Sequence, residues 1–138
     1  MKNLFTLTAV IEVGAGVALV VWPSLSVTLL LGSGLYTFVA VTLGRVAGAA
    51  LLALGVACWL ARLDGQSRAS TGLVTAMVLY NLAVVVILAS ARIGWGLGGV
   101  ALWLAVVLHA MMAVWCIACI GSKRVNVGNE KIADQQQP

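Results

Sequence analysis

The chain has 138 residues, of which 62% are hydrophobic and only 9% are charged, and its mean hydropathy is +1.09. Soluble domains carry about a quarter of their residues as charged side chains, so this composition excludes a water-facing globule and places most of the surface in lipid. The formal net charge of +4 comes from eight scattered Lys and Arg residues. They form no basic stripe with interleaved aromatic residues, so we expect no nucleic-acid partner.

The first apolar run predicts a transmembrane helix over about residues 4 to 22. Glu12 interrupts the run and no small-residue cleavage site follows it, which favours a retained helix over a signal peptide. Pro23 ends the helix, because proline lacks an amide hydrogen and disfavours the helical conformation in the preceding residue. The next segment, residues 24 to 34, is too short to cross a bilayer and is expected to form a turn or two of helix at the membrane interface.

A second apolar run, from about Phe38 to Ala61, is rich in glycine and alanine. Gly44 and Gly48 form a G-x-x-x-G pair, and small residues at this spacing let helix backbones approach closely in lipid. We therefore predict that Gly44 and Gly48 are helix-packing residues. Packing within the bundle is favoured over intermolecular dimerisation, which stays open as the alternative.

The second half of the chain predicts two more transmembrane helices. The third run extends from about Ser70 to Ala91, follows a short polar loop, and has Asn81 near its centre. Residues 92 to 99 read as a glycine-rich turn, and they form no dinucleotide site because no strand precedes them. The fourth run, residues 102 to 120, contains the single histidine, His109.

Four long helices with short connections predict an all-α fold, an antiparallel four-helix transmembrane bundle with a short interfacial segment after helix 1. Residues 1–121 form the transmembrane domain, and the polar segment 122–138 is expected to be a disordered cytoplasmic tail. The excess of basic residues on one side predicts that both termini lie in the cytoplasm. Six basic residues lie on the side of the termini and two on the other side. The six are Lys2, Arg62, Arg68, Lys123, Arg124 and Lys131, and the two are Arg45 and Arg92.

Polar residues from all four helices fall within one slab of the membrane. At about 1.5 Å of rise per residue, Glu12, Asn81 and His109 lie about 15 to 18 Å below the outer helix ends, near the centre of a core about 30 Å thick. Arg45 is shallower, and its long side chain reaches either inward to Glu12 or outward to the headgroups. Buried polar groups that meet one another can form hydrogen bonds, so bringing them together costs less free energy than burying each one separately in lipid.

Two interpretations of these four residues stay open. In the first they form a ligand or proton site: Glu12 is the acceptor, His109 the titrating partner, Asn81 the orienting amide and Arg45 the counter-charge. In the second they form a polar clamp that fixes helix register, with Glu12 paired to Arg45 or protonated. A histidine bonded only to a backbone carbonyl is a variant of the second.

The cysteines and methionines predict neither a metal nor another cofactor. Cys116 and Cys119 form a C-x-x-C pair in an apolar helix, where free cysteine behaves as a small hydrophobic residue, and no further pair is present to relay electrons. His109 and Cys116 are about 10 Å apart along the helix axis, too far to hold one metal ion without help from another helix.

The chain resembles the small bacterial four-helix membrane proteins similar to DoxX. The matching features are Glu12 followed by Gly16, the proline Pro23 after the first apolar run, the LLLG of residues 29–32, and Gly44-Arg45 near the start of the second apolar run. The resemblance covers about residues 5 to 120. It implies a four-helix fold and a membrane location, and no particular activity.

Three hypotheses of function follow. The first is a non-enzymatic inner-membrane protein that binds a partner protein or a small lipophilic ligand. The second is a small proton-coupled transporter or permease component that uses the midplane Glu/His/Asn site, and the third is a membrane redox enzyme. The expected partners are the lipid bilayer and either a second copy of the chain or another membrane protein.

Overall fold

The computed structural model describes residues 1–64 and 67–135, with side chains as far as residue 121. Within these ranges the chain is all-helical without a strand, which confirms the predicted fold class. The helices are α1 (Lys2–Val21), α2 (Pro23–Leu31), α3 (Phe38–Ala61), α4 (Arg68–Trp95) and α5 (Leu102–Gln135). Four helical stretches, α1, α3, α4 and Leu102–Gly121 of α5, are long and apolar enough to cross a membrane. The protein is therefore a multi-pass membrane protein.

The helix ends follow from proline and glycine. Helix α1 stops at Val21, and Pro23 becomes the first residue of α2, where its missing amide hydrogen costs nothing. The predicted glycine-rich turn from Arg92 to Gly99 is wrong for its first four residues, which extend α4. The helix ends only at Gly96, whose φ of +67° is a conformation that glycine adopts without strain.

Helix α5 continues to Gln135. The prediction of a disordered tail over residues 122–138 falls on positions whose side chains are not described, and residues 136–138 lie outside the described residues. That prediction, and the domain boundary drawn from it, stay predictions.

Helices α1 and α3 pack through glycines. A Cβ atom at Gly48 would lie 2.8 Å from the carbonyl oxygen of Gly16, and one at Gly55 would lie 3.1 Å from the backbone nitrogen of Val13. There is thus no room for a methyl group at this interface, and the two backbones touch. Gly48 faces the later part of α1 and Gly55 the earlier part, so the two helices run in opposite directions.

Helices α4 and α5 form the second pair, and their contacts also run in opposite directions. Asn81 meets His109, whereas Val78, one turn earlier on α4, lines a groove with Ile117 and Ile120 later on α5. The two pairs share a core in the half of the bundle that contains the N-terminus. Its buried members are Leu4, Phe5, Ala9, Cys58, Val74, Met77, Met112 and Cys116. A single antiparallel bundle of all four spans stays a prediction.

The short helix α2 joins the two pairs at the opposite end of the bundle. The last carbonyl groups of a helix have no partner within it. Here the carbonyls of residues 29, 30 and 31 accept hydrogen bonds of 2.9 to 3.1 Å from the amides of Ala101, Gly99 and Gly98. The loop between α4 and α5 therefore caps α2 through backbone alone.

This docking predicts that Gly99→Ala destabilises the protein. A Cβ atom at Gly99 would overlap the backbone carbonyl of Leu29, which cannot rotate away as a side chain can. We expect a loss of about 1–3 kcal/mol, typical of overpacking, measured as a lower midpoint of thermal unfolding in detergent micelles.

Gly94→Ala is the matched control. Gly94 lies in the last turn of α4, and a Cβ atom there would meet nothing within 4 Å. Alanine is the better helix former, so this variant should be as stable as the unchanged protein or slightly more stable. Equal stability of both variants would show that the loop does not depend on its contact with α2.

Candidate functional site

Three helices bring polar side chains together inside the apolar bundle. Glu12 comes from α1, Tyr80 and Asn81 from α4, and His109 from α5. Together with Thr8 of α1 we call them the midplane cluster. Glu12 and Asn81 are buried, with 3% and 1% of their surfaces exposed, and His109 and Tyr80 are half-buried.

Hydrogen bonds connect the members of the midplane cluster. The Tyr80 hydroxyl donates to Oε2 of Glu12 at 3.3 Å, which links the α1·α3 pair to the α4·α5 pair. Nδ1 of His109 lies 2.8 Å from Oδ1 of Asn81. The His109 ring also stands edge-on to the Tyr80 ring, with 5.6 Å between the ring centres.

The hydrogen bonds of Asn81 determine which nitrogen of His109 carries a hydrogen. The Asn81 amide nitrogen donates to the carbonyl oxygen of Met77 at 2.7 Å, which orients the amide oxygen toward His109. Because that oxygen only accepts, Nδ1 of His109 must be the donor. In a neutral imidazole, Nε2 then remains as an acceptor.

Thr8 is buried in the same cluster with 2% of its surface exposed, and its hydroxyl has no hydrogen-bond partner among the described residues. It lines one small space together with Glu12, Asn81 and His109, and this space has no room for a water molecule. The polar groups therefore face a space that is too small for a water molecule in this conformation, and one polar group is left unsatisfied among the described residues.

Arg45 does not join the other three residues of the expected constellation. Its side chain is exposed on α3, and among the described residues no hydrogen bond or ion pair joins it to Glu12. The reason is geometric, since the α3 face that meets α1 carries Gly48 and Gly55. Arg45 lies on a neighbouring face of α3, where its side chain is exposed.

Two members of the midplane cluster, Tyr80 and Thr8, are not among the site residues predicted from the sequence. The position of Tyr80 in the sequence indicates a buried polar contact. Tyrosine in membrane helices concentrates at the interfaces, and a tyrosine in the middle of a span needs a partner for its hydroxyl. Thr8 lies one turn before Glu12, so its place on the same face was predictable. That its hydroxyl is unpaired is a tertiary fact.

The other residues singled out from the sequence are packing glycines and cysteines that lie outside the midplane cluster. Gly48 packs against α1, whereas Gly44 faces Leu35 and Pro23, which precede α3 in the chain. Cys58 and Cys116 are fully buried and Cys119 is half-buried, all with free thiols. Among the described residues no three His, Cys, Asp or Glu side chains are grouped so as to hold a metal ion.

Two apolar grooves of similar size open toward the lipid on either side of α1. The α1–α5 groove has a volume of about 510 Å³ and is lined by Leu7, Leu108, Met112 and Trp115 among others. The α1–α3 groove, of about 490 Å³, is lined by residues that include Val13, Val56 and Trp59.

Only the first of these grooves adjoins the midplane cluster. Leu108 and Met112 line both the α1–α5 groove and the small polar space of the midplane cluster. Two flexible apolar side chains therefore form the wall between the bilayer and the buried polar groups.

The chain matches no known family model, and no curated protein or solved structure matches it either.

The link between the two helix pairs predicts that Tyr80→Phe destabilises the bundle. The substitution keeps the ring that contacts His109 and removes the hydrogen that Glu12 Oε2 accepts. Hydrogen bonds between membrane helices contribute about 0.6 kcal/mol on average and up to about 1.7, so we expect a loss within that range. Reversible unfolding by SDS in bicelles measures it.

The chain's second tyrosine provides the control. Tyr36 is 87% exposed in the loop before α3, and its hydroxyl accepts only a long bond of 3.4 Å from the amide of Gly34. Tyr36→Phe should leave the unfolding midpoint unchanged. An equal effect of both substitutions would mean that the Tyr80–Glu12 bond does not hold the pairs together.

Proposed function

We propose that the protein is a non-enzymatic multi-pass protein of a bacterial inner membrane, and that it binds a small lipophilic ligand from the bilayer at the midplane cluster. The observation that carries this proposal is the shared wall of Leu108 and Met112 between a lipid-facing groove and a buried polar space. An apolar groove beside a few convergent polar groups is the usual form of a small-molecule site.

The volumes support a ligand rather than a second protein. The α1–α5 groove, at about 510 Å³, lies within the range of small-molecule pockets, which hold about 300–1,000 Å³. The polar space behind it is too small to admit a ligand in this conformation. Binding therefore requires Leu108 and Met112 to change rotamer, so that the apolar part of the ligand stays in the groove while its polar group reaches the cluster.

A proton-coupled transporter component is the second candidate. Two groups that can bind protons, Glu12 and His109, line the same space, and ionisable residues inside a membrane commonly serve proton transfer. Ligand binding is proposed first because Leu108 and Met112 line both this space and the lipid-facing groove. Ligand-dependent proton movement into sealed vesicles, abolished by Glu12→Gln, would favour this second candidate.

The family and the cellular setting belong to the same proposal. We place the chain with the small bacterial four-helix proteins similar to DoxX, on the motifs around Glu12, Pro23 and Gly44. Its surroundings are the lipid bilayer, and a second copy of the chain or another membrane protein remains the expected protein partner.

Ligand binding is tested by tryptophan fluorescence, because Trp115 lines the α1–α5 groove and Trp59 lines the α1–α3 groove. Two variants keep only Trp115 or only Trp59, with the other four tryptophans replaced by phenylalanine. In lipid nanodiscs, 10-bromodecan-1-ol should quench Trp115 in a saturable manner and Trp59 only in proportion to its concentration in the lipid. Equal, non-saturating quenching of both would contradict the proposal.

Glu12→Gln separates a ligand site from a structural clamp. Glutamine keeps the size of the side chain and can still accept the Tyr80 hydrogen bond. A clamp should therefore tolerate it with unchanged stability. In a ligand site the saturable quenching of Trp115 should weaken about tenfold, the equivalent of one hydrogen bond of about 1.4 kcal/mol.

The orientation of the chain is tested with alkaline phosphatase fusions, which are active only outside the cytoplasm. Six basic residues against two predict cytoplasmic termini. A fusion after Lys123 should be inactive, and fusions after Ser33 or Gly96 should be active. The reverse pattern would place the N-terminal half of the bundle on the outer side.

A further inference from the structure

The Thr8 hydroxyl differs from every other described threonine hydroxyl in how it is bonded. Threonines within membrane helices satisfy their hydroxyl most simply by donating to the carbonyl four residues earlier. Five threonines here do so, at 2.8 to 3.0 Å, and Thr37 caps α3 by accepting from the amide of Ala40. Those five are Thr6, Thr28, Thr42, Thr71 and Thr75. Thr8 is the most deeply buried of the seven, yet its hydroxyl has no hydrogen-bond partner in the part of the chain that the structure describes.

An unsatisfied hydroxyl in an apolar environment has a measurable cost, of about 1–3 kcal/mol in mutational data. A change of rotamer is the ordinary way to avoid that cost, as Thr6 on the same helix shows. The Thr8 side chain instead lines the polar space shared with Glu12, Asn81 and His109. Its hydroxyl is therefore available, as both donor and acceptor, to a group that enters this space.

The other polar groups around this space have mostly used their donors. The Tyr80 hydrogen goes to Glu12, one Asn81 amide hydrogen goes to Met77, and Nδ1 of His109 donates to Asn81. What remains is mostly acceptor capacity, on Glu12 and on Nε2 of a neutral His109, together with the second amide hydrogen of Asn81 and the one hydroxyl of Thr8. The polar group that uses these remaining sites most fully accepts a hydrogen bond from Thr8 and donates one to Glu12 or His109.

We propose that the ligand of the midplane cluster is a lipophilic alcohol or phenol, whose hydroxyl group binds at Thr8 after Leu108 and Met112 move aside. An ether, ester or ketone only accepts hydrogen bonds, and an ammonium group only donates them. A hydroxyl does both and carries no charge through the apolar groove. This inference rests on the proposed ligand-binding function and names the chemical class of that ligand.

Three brominated probes of the same chain length test the assignment in the variant that keeps only Trp115. They are 10-bromodecan-1-ol, its methyl ether 1-bromo-10-methoxydecane, and 10-bromodecan-1-amine. The alcohol should quench Trp115 with an apparent dissociation constant about tenfold lower than that of either other probe, as a difference of one hydrogen bond gives. If all three saturate with equal affinity, the groove binds ligands but the hydroxyl assignment is wrong. If none saturates, the ligand-binding function itself fails.

Substitution of Thr8 tests the contact directly. Thr8→Val keeps the shape of the side chain and removes only the hydroxyl, and because that hydroxyl has no partner in the empty site, the variant should be as stable as the unchanged protein or more stable. It should bind the alcohol about tenfold more weakly, and the ether, whose oxygen also accepts from Thr8, should weaken as well.

Thr6→Val is the matched control, since Thr6 lies on the same helix and bonds its own backbone. It should leave the affinity for the alcohol unchanged. Undiminished alcohol binding by Thr8→Val would overturn the assignment. Reduced thermal stability of Thr8→Val would show that the hydroxyl already has a structural partner, and would overturn it as well.

Discussion

In lipid, a polar group must find its partner inside the protein, because no water is present to supply one. This constraint accounts for most of the hydrogen bonds described above. Five of the six helical threonines bond their own backbone, and the last carbonyls of α2 are capped by the α4–α5 loop. The same constraint draws Glu12, Asn81 and His109 into one place, where Tyr80 and Asn81 each act as a partner for a residue on another helix.

Helices in lipid associate through close packing of complementary surfaces, because there is no water to exclude from between them. The contact of Gly16 with Gly48, and of Gly55 with Val13, brings α1 and α3 together backbone against backbone. This close approach fixes the height and rotation of α1, and Glu12 with it. The site is thus positioned by a close glycine interface on one side of α1, while on the side toward α5 the side chains of Leu108 and Met112 line both the site and the lipid-facing groove.

That asymmetry gives the proposed binding event a physical route. The glycine interface cannot open without separating two backbones, whereas leucine and methionine side chains exchange rotamers readily, and methionine adapts well to irregular surfaces. The unpartnered Thr8 hydroxyl lies behind this wall. A polar group that arrives from the bilayer would satisfy it, and the cost of leaving it unsatisfied in the empty site becomes part of the driving force for binding.

The sequence by itself determined the fold class, the number of spans and most helix ends, because these depend on local properties: lengths of apolar runs, the missing amide hydrogen of Pro23, and glycine at a helix end. It also predicted that Glu12, Asn81 and His109 lie at one depth, since depth is a count of residues along a helix. Only the tertiary structure decided which of these side chains meet. Arg45 turns outward because glycines occupy the face of α3 toward α1, Tyr80 takes the place of a partner to Glu12, and Thr8 is left without one. Such outcomes depend on how each helix is rotated about its own axis. A helix that is hydrophobic on all sides has no polar face in its sequence pattern, so the pattern says little about which side meets a neighbouring helix.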